Sequence, residues 1–339
     1  MKFPLTTNLK RKIATASALS VIWMIAAAPA ASQASAKTAP QSAAQRSPVA
    51  PTKEQVQAAV NEAYEKFKSN TEGKNADYIP ELAKVDSKFY GIAIVTADGQ
   101  TVTAGDVNQP FSIQSISKVF SLALAMEELG PDKVFEKIGS EPTGRAFNSV
   151  EAVVDMPTHT GNPLVNAGAI ATVSLISAST ADAKYNKILD FYSKAAGEKL
   201  TLINEVYKSE AATNTGNKAL AALLLKYERI YADPLESVDV YTKQCSVGVT
   251  AKQLAMMGAT LANFGANPIT GQQVIKREDV PEIPSRLPLE DSLGLPRIEI
   301  TSCSVMPVSI FEKFSWLIRV HAARRQRAAP IIAACQRLV

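Results

Sequence analysis

The chain has 339 residues, of which 46% are apolar and 20% charged, and a formal net charge of +4. That length supports one large domain or two smaller ones with a sizeable core, and so thin a positive charge makes no case for a nucleic-acid partner. The two histidines and three cysteines (His159, His321, Cys245, Cys303 and Cys335) show no metal-ligand spacing, which argues against a structural metal and against a histidine-based triad.

In chain order, Lys2, Lys10, Arg11 and Lys12 make a basic start, "IATASALSVIWMIAAAPAA" follows as an apolar stretch, and Ala34-Ser35-Ala36 offers small residues suited to signal peptidase. Residues 1–36 therefore read as an export signal cleaved near Ala36, which places the mature chain in the periplasm or outside the cell, free of the membrane. An uncleaved anchor is the alternative, and the Ser, Thr and Pro29 that interrupt the apolar run argue against it. Residues 37–53, rich in Ala, Pro and Ser, read as a disordered linker. The odd number of cysteines gives no complete disulfide framework, and the apolar setting of Cys245 predicts a buried free thiol.

Helical periodicity starts after the linker. Val56, Val60, Tyr64 and Phe67 fall on one stripe, and Thr52 with Gln55 predicts a capping box. "FYGIAIVTADGQTVTAGD" (89–106) predicts a hairpin turning at Asp98-Gly99. Helices are expected over 110–129, 166–180, 186–196, 215–230 and 249–264. A hairpin followed by a long helical region implies an α/β (α+β) fold: an antiparallel sheet flanked by helices, plus a helical subdomain.

"PFSIQSISKVFSLALAMEEL" (110–129) puts Lys118 on the apolar face of its helix, with Ser115 one turn earlier on the same face. Desolvation disfavours the ammonium and so lowers its pKa, which makes Lys118 a proton acceptor for a serine hydroxyl. Ser115 at the helix start also lies near free backbone N–H groups able to stabilise an oxyanion. The plainer reading is a snorkelling lysine with Ser115 as an N-cap, and Ser112, Ser117 and Ser121 are rival serines. Asn166 in "GNPLVNAGAI", Glu210 and Asn217 seven apart, and Tyr241 in "VYTKQCS" each read singly as a cap, a surface charge or a core aromatic. Glu210 and Asn217 share a face if one helix runs through both.

Taken together, "FSIQSISK", "NPLVNAGAI", "SE" with Asn seven later, "YTKQCS" and "LANFGANPITG" resemble the bacterial serine-dependent glutaminases, over about 54–283. The resemblance implies the serine β-lactamase and penicillin-binding-protein fold, no cofactor, hydrolysis of L-glutamine to L-glutamate and ammonia, and assembly as a homodimer or homotetramer. It implies Ser115 as nucleophile and Lys118 as base, with Gln114, Asn166, Glu210, Asn217, Tyr241 and Tyr78 holding or lining the substrate. The residue types suit that ligand: a carboxylate for its ammonium, and amide or hydroxyl donors for its carboxylate. Between Glu210 and Asn217 the family commonly reads Gly-Asp-Arg-Asn, whereas this chain reads Asn-Thr-Gly-Asn with the last Asn kept.

After Ile283 the resemblance stops. The family's Tyr in a "G-x-Y-D" turn, its "K-S-G-V" stretch and its closing strands are replaced by a segment (284–339) with an arginine cluster at Arg324, Arg325 and Arg327. This tail reads as a shifted frame or a divergent terminus, and it implies that the C-terminal strands of the sheet are incomplete and activity damaged. A penicillin-binding or β-lactamase-like hydrolase and a non-catalytic glutamine-binding remnant are the alternative functions; the first lacks its Lys-Thr/Ser-Gly strand.

Overall fold

The computed structural model describes residues 51–71, 73–285 and 331–337. The expected export signal, most of the linker, and the tail over 286–330 with Cys303, His321 and the arginine cluster lie outside the described residues. In chain order the first elements are α1 (Lys53–Phe67), α2 (Pro80–Ala83), β1 (Tyr90–Thr96), β2 (Thr101–Gly105), β3 (Phe111–Ser112), a 3-10 turn (Gln114–Ile116), α3 (Ser117–Leu129), α4 (Pro131–Ile138), α5 (Val150–Asp155) and α6 (Asn166–Leu175). There follow α7 (Ala181–Ala196), β4 (Thr201–Leu202), α8 (Asn204–Thr213), α9 (Thr215–Lys226), α10 (Pro234–Cys245), β5 (Val247–Val249), α11 (Ala251–Ala262), α12 (Glu282–Ser285) and β6 (Ile331–Arg337).

Thr52 starts α1 with the expected capping box: its hydroxyl accepts from Gln55 N, and Gln55 Oε1 accepts from Thr52 N at 2.8 Å. The stripe of α1 lies on one face of the sheet, where Val56 and Val60 pack with Tyr90, Ile92, Ile94 and Val102, and Tyr64 stacks on Tyr90 with ring centroids 5.5 Å apart. Alternate residues Ala93 and Val95 face the other way, onto Ala251, Ala255 and Ala259 of α11. Burial on both faces explains why "YGIAIVT" reads as a nearly unbroken apolar run. β1 and β2 pair antiparallel, Ile92 opposite Ala104 and Ile94 opposite Val102. Gly105, at φ +75°, closes β2 where a Cβ would strike the Tyr90 carbonyl and the Tyr64 ring, so only glycine fits.

The other edge of β1 is taken by β6, antiparallel from Tyr90↔Arg337 to Thr96↔Ile331, in the order β2-β1-β6. The far end of the tail thus supplies one strand, which an incomplete set of C-terminal strands allows. Backbone N–H and C=O groups on a sheet edge accept any extended segment, so a partner strand needs no family motif. Among the described residues the sheet stops at three strands.

The helical part surrounds α3 and α6, whose Leu122, Met126, Ile170 and Val173 are wholly buried in one core with Ile188 of α7 and Leu224 of α9. A second small sheet, β3-β5-β4, anchors the entry to α3. The helix expected over 166–180 ends at Leu175, because Ile176 turns extended and Thr180 caps a new helix, accepting from Ala183 N at 3.1 Å. One helix does not run through Glu210 and Asn217 either: α8 ends and α9 begins at Asn214, whose Nδ2 donates to Thr242 Oγ1 at 3.0 Å.

Ending the chain at Ser285 removes β6 and leaves the β1 edge unpaired. We expect a loss of several kcal/mol, at about 0.5–1.5 kcal/mol net per ladder hydrogen bond, read by urea unfolding, with lower soluble yield. An unchanged midpoint would show that β6 contributes nothing to the fold.

Candidate active site

Lys118 is 1% exposed. Its Nζ donates to the Leu164 carbonyl and to Asn166 Oδ1, each at 2.8 Å, and lies 5.8 Å from the Phe147 ring centre and 6.0 Å from that of Tyr241. Burial pulls its pKa down to about 8, against the opposing pull of Cys245 and Glu210. Both of these acceptors are uncharged oxygens, which can hold the N–H bonds of a neutral amine.

Ser115 sits in the 3-10 turn, half-buried, and α3 proper begins at Ser117, one residue later than a cap at Ser115 would set it. Gln114 just before it takes φ +49°, the left-handed region that a non-glycine residue enters at a cost. Its Nε2 donates to Ser112 Oγ at 3.0 Å. The rival serines are engaged: Ser112 with Gln114, and Ser117 and Ser121, 0% and 1% exposed, with Tyr192 and Gln244 behind the helix.

Asn166, the first residue of α6, joins three of the expected residues. Its Oδ1 accepts from Lys118 and, at 3.1 Å, from the Tyr241 hydroxyl, and its Nδ2 donates to Asn217 Oδ1 at 3.0 Å. With Asn217 Oδ1 so engaged, its Nδ2 hydrogens have no partner among the described residues. Tyr241 is 2% exposed, and burial holds its phenol well above the ordinary range.

Glu210, read singly from sequence as a surface charge, is 8% exposed. Its Oε2 has no hydrogen-bond partner among the described residues. Burial lifts its pKa to about 7, while Gln114 and the Lys118 charge hold it back. Tyr78 is 67% exposed, and it stands within electrostatic reach of Glu210: crowding first, then the Glu210 charge, push its phenol upward. The structure thus links Lys118, Asn166, Asn217 and Tyr241 by hydrogen bonds, ties Gln114 to Glu210, and relates Tyr78 to them by charge alone.

Sequence reading missed the Leu164 carbonyl and the Phe147 ring. The signal for the first was the Asn162-Pro163 pair. Asn162 Oδ1 accepts from Leu164 N at 2.9 Å and its Nδ2 donates to Glu141 O at 3.0 Å, which turns the chain so that Leu164 faces the lysine. Gly168 belongs to the same device, since a Cβ there would strike the Asn162 backbone. Nothing in the local sequence marks Phe147.

A Glutaminase family model matches residues 73–287, more than half of the chain. The chain belongs to the glutaminase family. A Glutaminase of Colwellia psychrerythraea is 50% identical over 228 residues, covering 67% of this chain and 73% of that one, and a Glutaminase of Brucella canis is 54% identical over 225 residues, covering 66% and 70%. Among solved structures, a probable glutaminase, ybaS, superposes with a TM-score of 0.69 at 44% identity over 71% of this chain and 78% of its own. Mglu in its glutamate form gives 0.64 at 31% identity over 68% and 53%. The mixed α/β architecture is that of these glutaminase structures, the serine β-lactamase-like fold.

Replacing Asn166 by Asp sets a carboxylate against Lys118 Nζ and favours the ammonium. Its pKa, followed by nitrogen NMR of the side chain, is expected to rise from about 8 by roughly 1–3 units. An unmoved titration would mean that the two side chains do not meet in solution.

Proposed function

We propose that this glutaminase-family chain hydrolyses L-glutamine to L-glutamate and ammonia through an acyl-enzyme on Ser115. The observation that carries the reading is the buried Lys118, whose Nζ donates to the Leu164 carbonyl and to Asn166, one helical turn from Ser115. The neutral amine takes the Ser115 proton as Oγ attacks the side-chain amide carbon. It returns that proton to the departing nitrogen, the C–N bond breaks, and ammonia leaves. Water, activated by the same amine, then releases glutamate and frees Ser115.

Glu210 receives the substrate's α-ammonium on its unpartnered Oε2, which also relieves the cost of that buried charge. Asn166, Asn217 and Tyr241 face the carboxylate, and Gln114 and Tyr78 line the approach. We further propose export of the chain, cleavage near Ala36, and assembly as a homodimer or homotetramer. The departure of the sequence after Ile283 favours slow turnover or, at the limit, glutamine binding without hydrolysis; calorimetric binding of glutamine with no ammonia released would select that second reading.

Ser115→Ala should abolish ammonia release, while Ser117→Ala and Ser121→Ala lower it much less. Lys118→Arg keeps the charge but cannot act as a base, so it should lose about 10²–10⁴-fold in kcat, nearly as much as Lys118→Ala. Because deprotonated Glu210 and neutral Lys118 are the working forms, kcat/KM should climb with pH through about 7 and about 8 and level off above. A profile that falls across that window, or an active Arg variant, would remove Lys118 from the role of base.

Glu210→Gln should weaken glutamine and glutamate alike by about 10-fold or more, the effect of losing a charge-assisted hydrogen bond of roughly 1.5–3 kcal/mol, with the fold intact by circular dichroism. Unchanged affinity for both would make Glu210 a structural carboxylate.

A further inference from the structure

Ser117, Tyr192 of α7 and Gln244 of α10 are each 0% exposed, and with Ser121, 1% exposed, they close a ring behind the first turn of α3. The Tyr192 hydroxyl lies 2.5 Å from Ser121 Oγ and donates to the Ser117 backbone carbonyl at 2.8 Å. Ser121 Oγ lies 2.6 Å from Gln244 Oε1, and Gln244 Nε2 lies 3.4 Å from Ser117 Oγ. The Cys245 thiol, pushed up to about 12 by burial and therefore protonated, flanks the ring 3.8 Å from Ser117 Oγ.

We propose that Tyr192, with Ser121 and Gln244, is a positioning residue for acyl transfer: the ring fixes the junction between the 3-10 turn and α3, and thereby the direction in which Ser115 meets Lys118. The inference rests on the reading of Ser115 as nucleophile. The junction is locally undecided, since the Ser117 N–H is shared between the carbonyls of Gln114 and Ser115, and Gln114 before it is held at φ +49°. Two hydrogen-bond patterns compete there, and nothing in the turn selects one. A phenol bonded to the Ser117 carbonyl from another helix fixes where that peptide sits. Burial keeps that phenol protonated, hence always a donor.

The hydrogens of the ring also close. Two hydroxyl hydrogens cannot serve three contacts among Tyr192, Ser121, the Ser117 carbonyl and Gln244 Oε1. With the Gln244 amide turned over, Nε2 donates to Ser121, Ser121 to Tyr192, Tyr192 to the carbonyl, and Ser117 Oγ to Oε1, so each group donates once. The substrate groups Asn166, Glu210 and Asn217 lie on α6, α8 and α9 and make none of these bonds.

The test reads Ser115 reactivity directly in the full chain. An alkyl fluorophosphonate labels an activated serine: an Oγ–P bond forms, the P–F bond breaks, fluoride leaves, and Lys118 takes the proton. Tyr192→Phe keeps the ring packed edge-on against Phe120 at 6.0 Å and removes one oxygen. Tyr192→Phe and Ser121→Ala should each slow labelling of Ser115 about 10-fold, a fraction of the roughly 100-fold that misplacing a reacting group can cost. The double variant should lose less than the product of the two, as members of one network do. Glutamate affinity by calorimetry should stay within about 2-fold, a loss confined to the reacting step. Labelling at the parent rate well below a lowered Tm would overturn the inference and leave the ring a packing feature. Absent labelling in the parent, or equal labelling of Ser115→Ala, would overturn the Ser115 assignment, and this inference with it.

Discussion

A lysine amine with almost no exposed surface needs acceptors for its N–H bonds and some release from its charge, and Lys118 has both. The Leu164 carbonyl and Asn166 Oδ1 take its hydrogens, and burial makes the neutral amine accessible near pH 8. Neither acceptor is a carboxylate. For the base proposed here that choice matters, because an ion pair would favour the ammonium, whereas neutral acceptors solvate the amine without fixing its charge. The Asn162-Pro163 turn aims the Leu164 carbonyl, and Tyr241 and Asn217 fix the amide of Asn166. Much of the helical part of the molecule can be read as the scaffold of that one pair of bonds.

Glu210 is the complement. Its Oε2 has no hydrogen-bond partner among the described residues, so its buried charge is costly and its pKa rises to about 7. On the proposed reading a substrate ammonium removes that cost, which would add to the affinity for an amino acid. Two titratable groups of opposite type, both shifted toward neutrality, thus lie within each other's field: one suited to move a proton and the other to hold a charge.

The features legible in the sequence were those with local causes. Thr52 and Gln55 announce a cap, Asp98-Gly99 announces a hairpin, and the apolar neighbours of Lys118 announce its burial. Family resemblance brought Asn166, Glu210, Asn217 and Tyr241 into one expectation, where residue type alone left Glu210 on the surface. What escaped depends on distant partners. The break at Asn214 is held by Thr242, twenty-eight residues on. The Leu164 acceptor is a backbone atom that leaves no trace in residue identity. The pairing of β6 with β1 is set by edge hydrogen bonds and needs only an extended chain, so the departure of the tail from the family motifs gave no hint of it.

The sheet and the site look separate, since the proposed reacting groups lie in the helical part and β6 lies beside the hairpin, yet α11 joins them. One face of α11 packs on Ala93 and Val95 of β1. From the same helix Thr260 Oγ1 donates to the Ala195 carbonyl at 2.9 Å, and Asn267 beyond its end donates to that carbonyl at 3.1 Å. Ala195 belongs to α7, three residues from Tyr192, whose hydroxyl reaches the Ser117 carbonyl. A sheet that loses an edge strand loosens β1, then the seat of α11, then the end of α7 that carries the phenol. Weakening there would reach Ser115 before it reached Glu210 or Asn217, which hang from α8 and α9. With Ser115 as the proposed nucleophile and Glu210 as the proposed ammonium site, the way the chain completes its sheet would bear first on the step that breaks a bond, and only afterwards on the affinity for an amino acid.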